Sequence, residues 1–335
     1  MADAAEQQPQ DATHYVRPDV RVFLDMIAAM PQPEWPPHPD VYRAQYIAMK
    51  DMVDLPVGEL ATMRDLEIPG PAGTIPARLF DVRENRQPGP VVVFYHGGGF
   101  VIGNIDTHAS FAAEMSRALD LPVVSVDYRL APEHPWPAAS DDAEAAARWI
   151  AGNPSELGRA VTSIALAGDS AGGQLAAVAA IDLRDDPAAV PVIAQLLIYP
   201  AADLGTRHPS IETFSEGYVL TEKGMEWFAE CYAADVCHPR CSPLANDSLE
   251  GLPPTVVVTA SLDPIRDQGR TYAAALVRAG VPVVFREAVG SVHGFITLRR
   301  AIPSAQGDVA GMLGVFREIL IESEANRVMV QAASA

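Results

Sequence analysis

Cysteine is nearly missing from this chain of 335 residues, which has only Cys231, Cys237 and Cys241. So odd and sparse a set excludes a disulfide scaffold and fits a reducing compartment. The run Cys231-x5-Cys237-His238-x2-Cys241 does hold four ligand-type side chains, but it lacks the C-x2-C knuckle of common zinc sites. We read these residues as thiols in a loop-rich segment and expect no metal. Positive charge is also scarce. Twenty-four Lys and Arg face 43 Asp and Glu, for a net charge of −19, and Lys50 and Lys223 are the only lysines. A surface of that sign repels phosphate backbones and anionic membrane faces, so nucleic acid is not an expected partner. It also fits a salt-rich habitat. Long apolar runs are missing too, and none approaches the ~20 residues of a membrane span. The opening Met1-Ala2-Asp3-Ala4-Ala5-Glu6 has neither the basic nor the apolar region of a secretory signal. The expectation is a soluble cytoplasmic protein.

What the chain does have is ordinary globular material, 49% hydrophobic and 20% charged. The length suits one large α/β domain with insertions, or two domains. Residues 1 to about 17 are polar and expected to be loose. Val20, Phe23, Leu24, Ile27 and Met30 recur at helical spacing over 18–30. Pro31, Pro33, Pro36, Pro37 and Pro39 then break that helix, and a second is expected over about 40–52. Strand-like runs near 63–69 and 75–82 flank the turn Gly70-Pro71-Ala72-Gly73 and predict an antiparallel start to a sheet. Strands are then expected near 90–95, 122–127, 163–167, 193–199, 254–260 and 282–287. Helices are expected near 107–118, 138–152, 171–183, 267–279 and 305–323. That alternation implies βαβ units and a largely parallel sheet. Over fifty residues between Tyr199 and Thr255 interrupt it. They carry a helical pattern at 221–233 with Met225, Phe228 and Tyr232 on one face, read either as packing or as a lid.

The strongest chemical signal is Gly168-Asp169-Ser170-Ala171-Gly172-Gly173, between an apolar strand and a helix. A sharp turn there lifts a serine out of the sheet edge, with small neighbours and a helix N-terminus beside it. The bland alternative is a glycine-rich turn with an idle serine. The second signal is His96-Gly97-Gly98-Gly99-Phe100, after the strand Val91 to Tyr95. Its bare backbone N–H groups suit a tetrahedral oxyanion, although the residues alone do not choose among the three glycines. A dinucleotide loop is the rival, with Asp127 as its ribose acid. However, Gly97, Gly99 and Gly103 are spaced one residue too long, and the helix is expected to begin only near Thr107.

A nucleophilic serine needs a base, and the base needs an orienting acid. In the order Ser, acid, His, the base falls on His293, the one histidine beyond the last β/α crossovers. Asp263 and Asp267 compete for the acid. Asp263 is nearer its strand end, whereas Asp267 reads as a helix-start carboxylate, so Asp263 is preferred. The segment from Asp127 to Pro137 is stiffened by Pro132, Pro135 and Pro137 and reads as support for the site, with Arg129 and Glu133 able to pair inside it.

These residues resemble the bacterial hormone-sensitive-lipase-like (family IV) esterases of the α/β-hydrolase superfamily, GDSAG type. The likeness covers about 60–325 and rests on HGGGF at 96–100, DYRLAPEHPWPA at 127–138, GDSAGG at 168–173, DPIRD at 263–267 and HGF at 293–295. It implies an α/β fold with a mostly parallel eight-stranded sheet flanked by helices and a helical cap. The expected divisions are 1–55 for N-terminal cap helices, 56–200 and 251–325 for the core, 201–250 for a cap insertion, and 326–335 for a tail. It implies Ser170 as nucleophile, Asp263 as acid and His293 as base, with an oxyanion hole from the N–H groups of Gly98, Gly99 and Ala171. No cofactor is implied. The implied substrates are small esters with short to medium acyl chains, or aryl esters, with Met225 and Phe228 in the substrate pocket. A homodimer is also implied. Two departures stand out: Gln174 where many members have Asn, and Gln268 where many have Glu. Some members are ligand-binding proteins that have lost catalysis, and an amidase or deacetylase would use the same triad.

Overall fold

The computed structural model describes residues 14–31 and 35–334. The polar stretch 1–13, on which the signal-sequence expectation falls, and Pro33 lie outside the described residues. Eight strands form one sheet: β1 (Thr62–Gly70), β2 (Gly73–Asp81), β3 (Gly89–Tyr95), β4 (Val123–Val126), β5 (Val161–Asp169), β6 (Val192–Ile198), β7 (Thr255–Leu262) and β8 (Val283–Val292). Their order is β1-β2-β4-β3-β5-β6-β7-β8. β1 and β2 form the expected antiparallel hairpin, and β2 also runs antiparallel to β4; every other pairing is parallel.

The continuous apolar runs in the middle strands follow from burial on both faces. In β3, Val91, Val93 and Tyr95 point to one core while Val92 and Phe94 point to the other. The first core is closed by α4 (Ala138–Ala151), α5 (Ala171–Asp185) and α8 (Arg266–Arg278), through Ala143, Leu175 and Tyr272. The second is closed by α3 (Ile105–Leu119) and α9 (Ala305–Ser334), through Phe111, Met115, Leu313 and Phe316. Burial of each such large side chain is worth about 1.5–3 kcal/mol. α3 starts where local chemistry starts it: Asn104 accepts from the Thr107 N–H, and the Thr107 hydroxyl accepts from the Asn104 N–H. That start leaves the glycines of 97–103 in a loop ahead of the helix, against the dinucleotide alternative.

Two element ends and one additional helix differ from the expectation. β8 runs on to Val292 instead of ending near 287, because Gly290 at φ 75° lets the strand bend and resume against β7. α9 does not stop near 323; it continues through Ser334, so the expected tail 326–335 is helical through 334. Glu324 helps to hold it by accepting from the hydroxyls of Thr162 and Ser163 and pairing with Arg327. The segment between β6 and β7 contains a short helix α6 (Pro209–Thr213) as well as the expected α7 (Glu222–Tyr232). At the N-terminal end, α1 (Pro18–Ala28) and α2 (Pro39–Val53) both begin on a proline, which suits a helix's first turn.

Candidate active site

Ser170 follows the last residue of β5 and precedes the first of α5, with φ 55° and ψ −118°. A non-glycine residue held there is strained. The turn is possible because a Cβ at Gly172 would run into the carbonyl of Tyr95, so only glycine lets α5 approach β3 this closely. The backbone is fastened on both sides: the Ser170 N–H donates to the Ile198 carbonyl, and the Ala201 N–H donates to that of Ser170.

Asp263 lies one residue past β7 and is fully buried. Its Oδ1 accepts from the Ile265 N–H at 2.9 Å and its Oδ2 meets His293 Nδ1 at 2.7 Å. A carboxylate only accepts, so the Nδ1 carries the proton and the opposite nitrogen is left with its lone pair. That nitrogen, Nε2, stands 2.9 Å from the Ser170 hydroxyl, which donates to it. Three side chains from three strand ends therefore form one chain of hydrogen bonds. Asp267 is not part of it: its Oδ2 accepts from the Ser210 N–H and its Oδ1 faces Arg266 and Arg270.

The loop after β3 passes beside this chain. Gly98 (φ 125°) and Gly99 (φ 59°) adopt conformations that favour glycine, and the ring of Phe228 lies where a Cβ of Gly99 would go. Gly97, Gly98, Gly99, Ser170, Ala171 and His293 all face one cavity of about 1190 Å³. α1 and α2 wall it with Phe23, Ile27 and Met49, and the 201–236 region with Leu220, Met225 and Phe228.

The sequence reading singles out neither Asp169 nor Tyr199, yet both tie the site together. Asp169 Oδ1 accepts from the Gly97 N–H at 2.8 Å and has His108 Nε2 3.4 Å away. Its Oδ2 accepts from the Tyr199 hydroxyl at 3.3 Å, and the Tyr199 ring lies 4.5 Å from that of His293. Burial raises the Tyr199 phenol well above its ordinary pKa, so it stays protonated and a donor. The only signal in the sequence was position: Asp169 is next to the serine, and Tyr199 ends a strand.

Other expectations are corrected. Arg129 and Glu133 do not pair with each other: Arg129 makes a two-pronged contact with buried Asp142, and Glu133 does the same with Arg43 of α2. Both partners lie outside the motif, beyond the reach of local pattern. Gln174 donates to the carbonyls of Arg240 and Cys241, and Gln268 accepts from the Asp203 N–H. Among the described residues no group of three or more His, Cys, Asp or Glu is placed to hold a metal ion. Cys237 is exposed, while Cys241 is buried and its thiol is pushed up to about 12 by that burial.

A family profile described as the alpha/beta hydrolase fold matches residues 92–297. The chain belongs to the α/β-hydrolase family. Within it, this α/β-hydrolase falls in the hormone-sensitive-lipase-like branch, and its relatives are esterases. The carboxylic ester hydrolase LipN of Mycobacterium tuberculosis is 43% identical over 243 residues, which cover 70% of this chain and 64% of LipN. The match thus spans just under two thirds of that relative's length. The esterase LipI of the same organism is 40% identical over 263 residues, covering 77% of this chain and 82% of LipI. Among solved structures, a hyperthermophilic esterase from the archaeon Pyrobaculum calidifontis superposes with a TM-score of 0.85 at 37% identity, covering 91% of this chain and 99% of the other.

Proposed function

We propose that this α/β-hydrolase is a serine carboxylic ester hydrolase acting on short- to medium-chain acyl or aryl esters. The observation that carries the reading is His293, which bridges Ser170 at 2.9 Å and Asp263 at 2.7 Å on the floor of the large apolar cavity. Esterase relatives at 40% identity or more support it. His293 takes the Ser170 proton as Oγ attacks the ester carbonyl carbon, and Asp263 stabilises the imidazolium. The carbonyl oxygen becomes an oxyanion that accepts from the N–H groups of Gly98, Gly99 and Ala171; Ala171 is the first residue of α5, where the helix dipole adds to the effect. His293 passes the proton to the leaving alkoxide. Water, deprotonated by the same histidine, then attacks the acyl-enzyme and frees Ser170.

We read α1, α2 and the 201–250 region as a cap over the core, which fits their shared position around the cavity. Met225 and Phe228 would then bound the substrate. A cytoplasmic location fits three free thiols. Among the described residues no helix is long and apolar enough to cross a membrane. A homodimer rests on the family resemblance, and light scattering during size-exclusion chromatography tests it.

Hydrolysis of p-nitrophenyl acetate, butyrate, octanoate and palmitate, with Ser170→Ala in parallel, tests the activity. Fast release from the short esters, lost in the variant, is expected. No release by folded wild-type protein would replace the esterase reading with a ligand-binding one. Faster release from a matched anilide than from the ester would replace it with an amidase.

A further inference from the structure

One polar side chain in the cavity wall has no part in the triad. Gln268 lies in the first turns of α8 and is 3% exposed. Its amide orientation is decided by its neighbour. The Asp203 N–H is a donor 3.2 Å away, so the carbonyl Oε1 must face it and the NH2 group must face the other way. Among the described residues the one side-chain hydrogen bond of Gln268 is this one through Oε1 and none uses the NH2 group, and Gln268 lines the same cavity as Ser170 and His293.

The surroundings leave this donor unmatched from the protein side. The Asp203 carboxylate beside it is already engaged: Oδ1 accepts from the N–H groups of Gly205 and Thr206, and Oδ2 faces His208 Nε2 at 2.9 Å. Leu204, next in the chain to Asp203, and Ile265, whose carbonyl accepts from the Gln268 N–H, are apolar and line the same cavity. The loop holding Asp203 also donates the Ala201 N–H to the Ser170 carbonyl, so Gln268 is tied through two residues of chain to the nucleophile itself. Other polar lining residues, such as Gln45 and Thr206, are exposed and remain hydrated. Gln268 is different because it is buried, so its donor loses its water when substrate fills the cavity.

We propose that Gln268 is a specificity-determining residue for esters that carry a second oxygen acceptor, an ether, keto or hydroxyl oxygen, on the substrate arm lying against α8. The inference rests on the esterase reading above. An arm with an acceptor at the right distance pairs with the NH2 group, whereas an all-methylene arm of the same length leaves the donor dry and unsatisfied. A neutral hydrogen bond of this kind is expected to favour the oxygen-bearing ester by about tenfold in kcat/KM.

The test scans an ether oxygen through chains of constant length, in one panel along the acyl group of p-nitrophenyl esters and in another along the alcohol of alkyl butyrates. The readout is the kcat/KM ratio of each ether ester to its all-methylene parent. Wild-type enzyme is expected to show a peak of about tenfold at one position in one panel. Gln268→Glu keeps an acceptor for the Asp203 N–H but offers a carboxylate to the cavity, and it is expected to bring that peak to one or below. Gln268→Leu removes both groups and is expected to flatten the profile, with thermal melts reporting whether the variant is folded. A flat wild-type profile, or a peak that survives in folded Gln268→Glu, overturns the proposal. Hydrolysis of the all-methylene parents by wild type keeps the esterase reading standing in either case. Failure on every ester would instead remove that reading.

Discussion

At the level of single residues, the two carboxylates of 263–267 show how a few ångströms separate chemistry from scaffolding. Asp263 contacts the imidazole, while Asp267 holds the Ser210 N–H and two arginines. Asp263→Asn is expected to cut kcat by about 10⁴, since an amide in that place no longer holds the imidazole in its active tautomer. Asp267→Asn is expected to retain most of the activity. Steady-state kinetics on p-nitrophenyl butyrate separates the two, and the reverse result would reassign the acid. Asp169 acts through the backbone it holds. Asp169→Ala frees the Gly97 N–H and loosens the loop carrying Gly98 and Gly99, so kcat is expected to fall by about tenfold or more with a smaller change in KM. Asp169→Asn, which still offers an acceptor, is expected to recover part of that loss.

At the level of elements, the question is what holds α2 over the site. Arg299, six residues past His293 and 2% exposed, grips Asp54 at the end of α2 through two hydrogen bonds of 2.8 Å and also donates to Ser110 of α3. The N–H groups of Arg300 and Ala301 add two bonds to the Val53 carbonyl. Asp54→Ala would leave a buried guanidinium without its carboxylate, at an expected cost of about 3–5 kcal/mol in urea unfolding. The second attachment is Glu133 to Arg43, which pulls the Glu133 carboxyl down to about 2. A carboxyl whose pKa is depressed on folding adds stability above its unfolded value of about 4.5, and that stability is lost as pH falls toward 2. Wild type is therefore expected to exceed Glu133→Gln in stability at pH 7, by at most about 1 kcal/mol because the pair is partly solvated. The gap is expected to close between about pH 5 and pH 2. Denaturant melts at several pH values check this, and a constant gap would refute it.

For the whole molecule, net charge is the dominant physical fact. An excess of 19 negative charges repels itself across one folded body, and added salt screens that repulsion over a Debye length of about 10 Å at 0.1 M. The melting temperature is expected to rise between low salt and 1 M sodium chloride. No rise would remove the salt-habitat reading of the composition. Charge also bears on substrate choice, since anionic esters approach a negative surface more slowly than neutral ones, and most clearly so at low ionic strength.

Much of the site was legible in one dimension because local chemistry imposes it. A serine between a strand and a helix needs small neighbours, so GDSAGG announces the turn; HGGGF announces bare N–H groups after an apolar strand. The order of strands and helices follows from hydrophobic period, and it leaves His293 as the candidate base because that histidine alone comes after the last crossovers. What one dimension withheld were contacts between segments far apart in sequence. Arg129 finds Asp142, Glu133 finds Arg43, and Arg299 reaches across 245 residues to Asp54. The contacts of Asp169 and Tyr199, and that of Gln268 with Asp203, belong to the same class. Each depends on which donor or acceptor the fold brings within about 3 Å, and hydrogen-bond energy falls away within an ångström of that distance. Periodicity and turn chemistry operate over neighbouring residues and are written in the sequence; partner choice among buried polar groups is settled only when the chain has closed on itself.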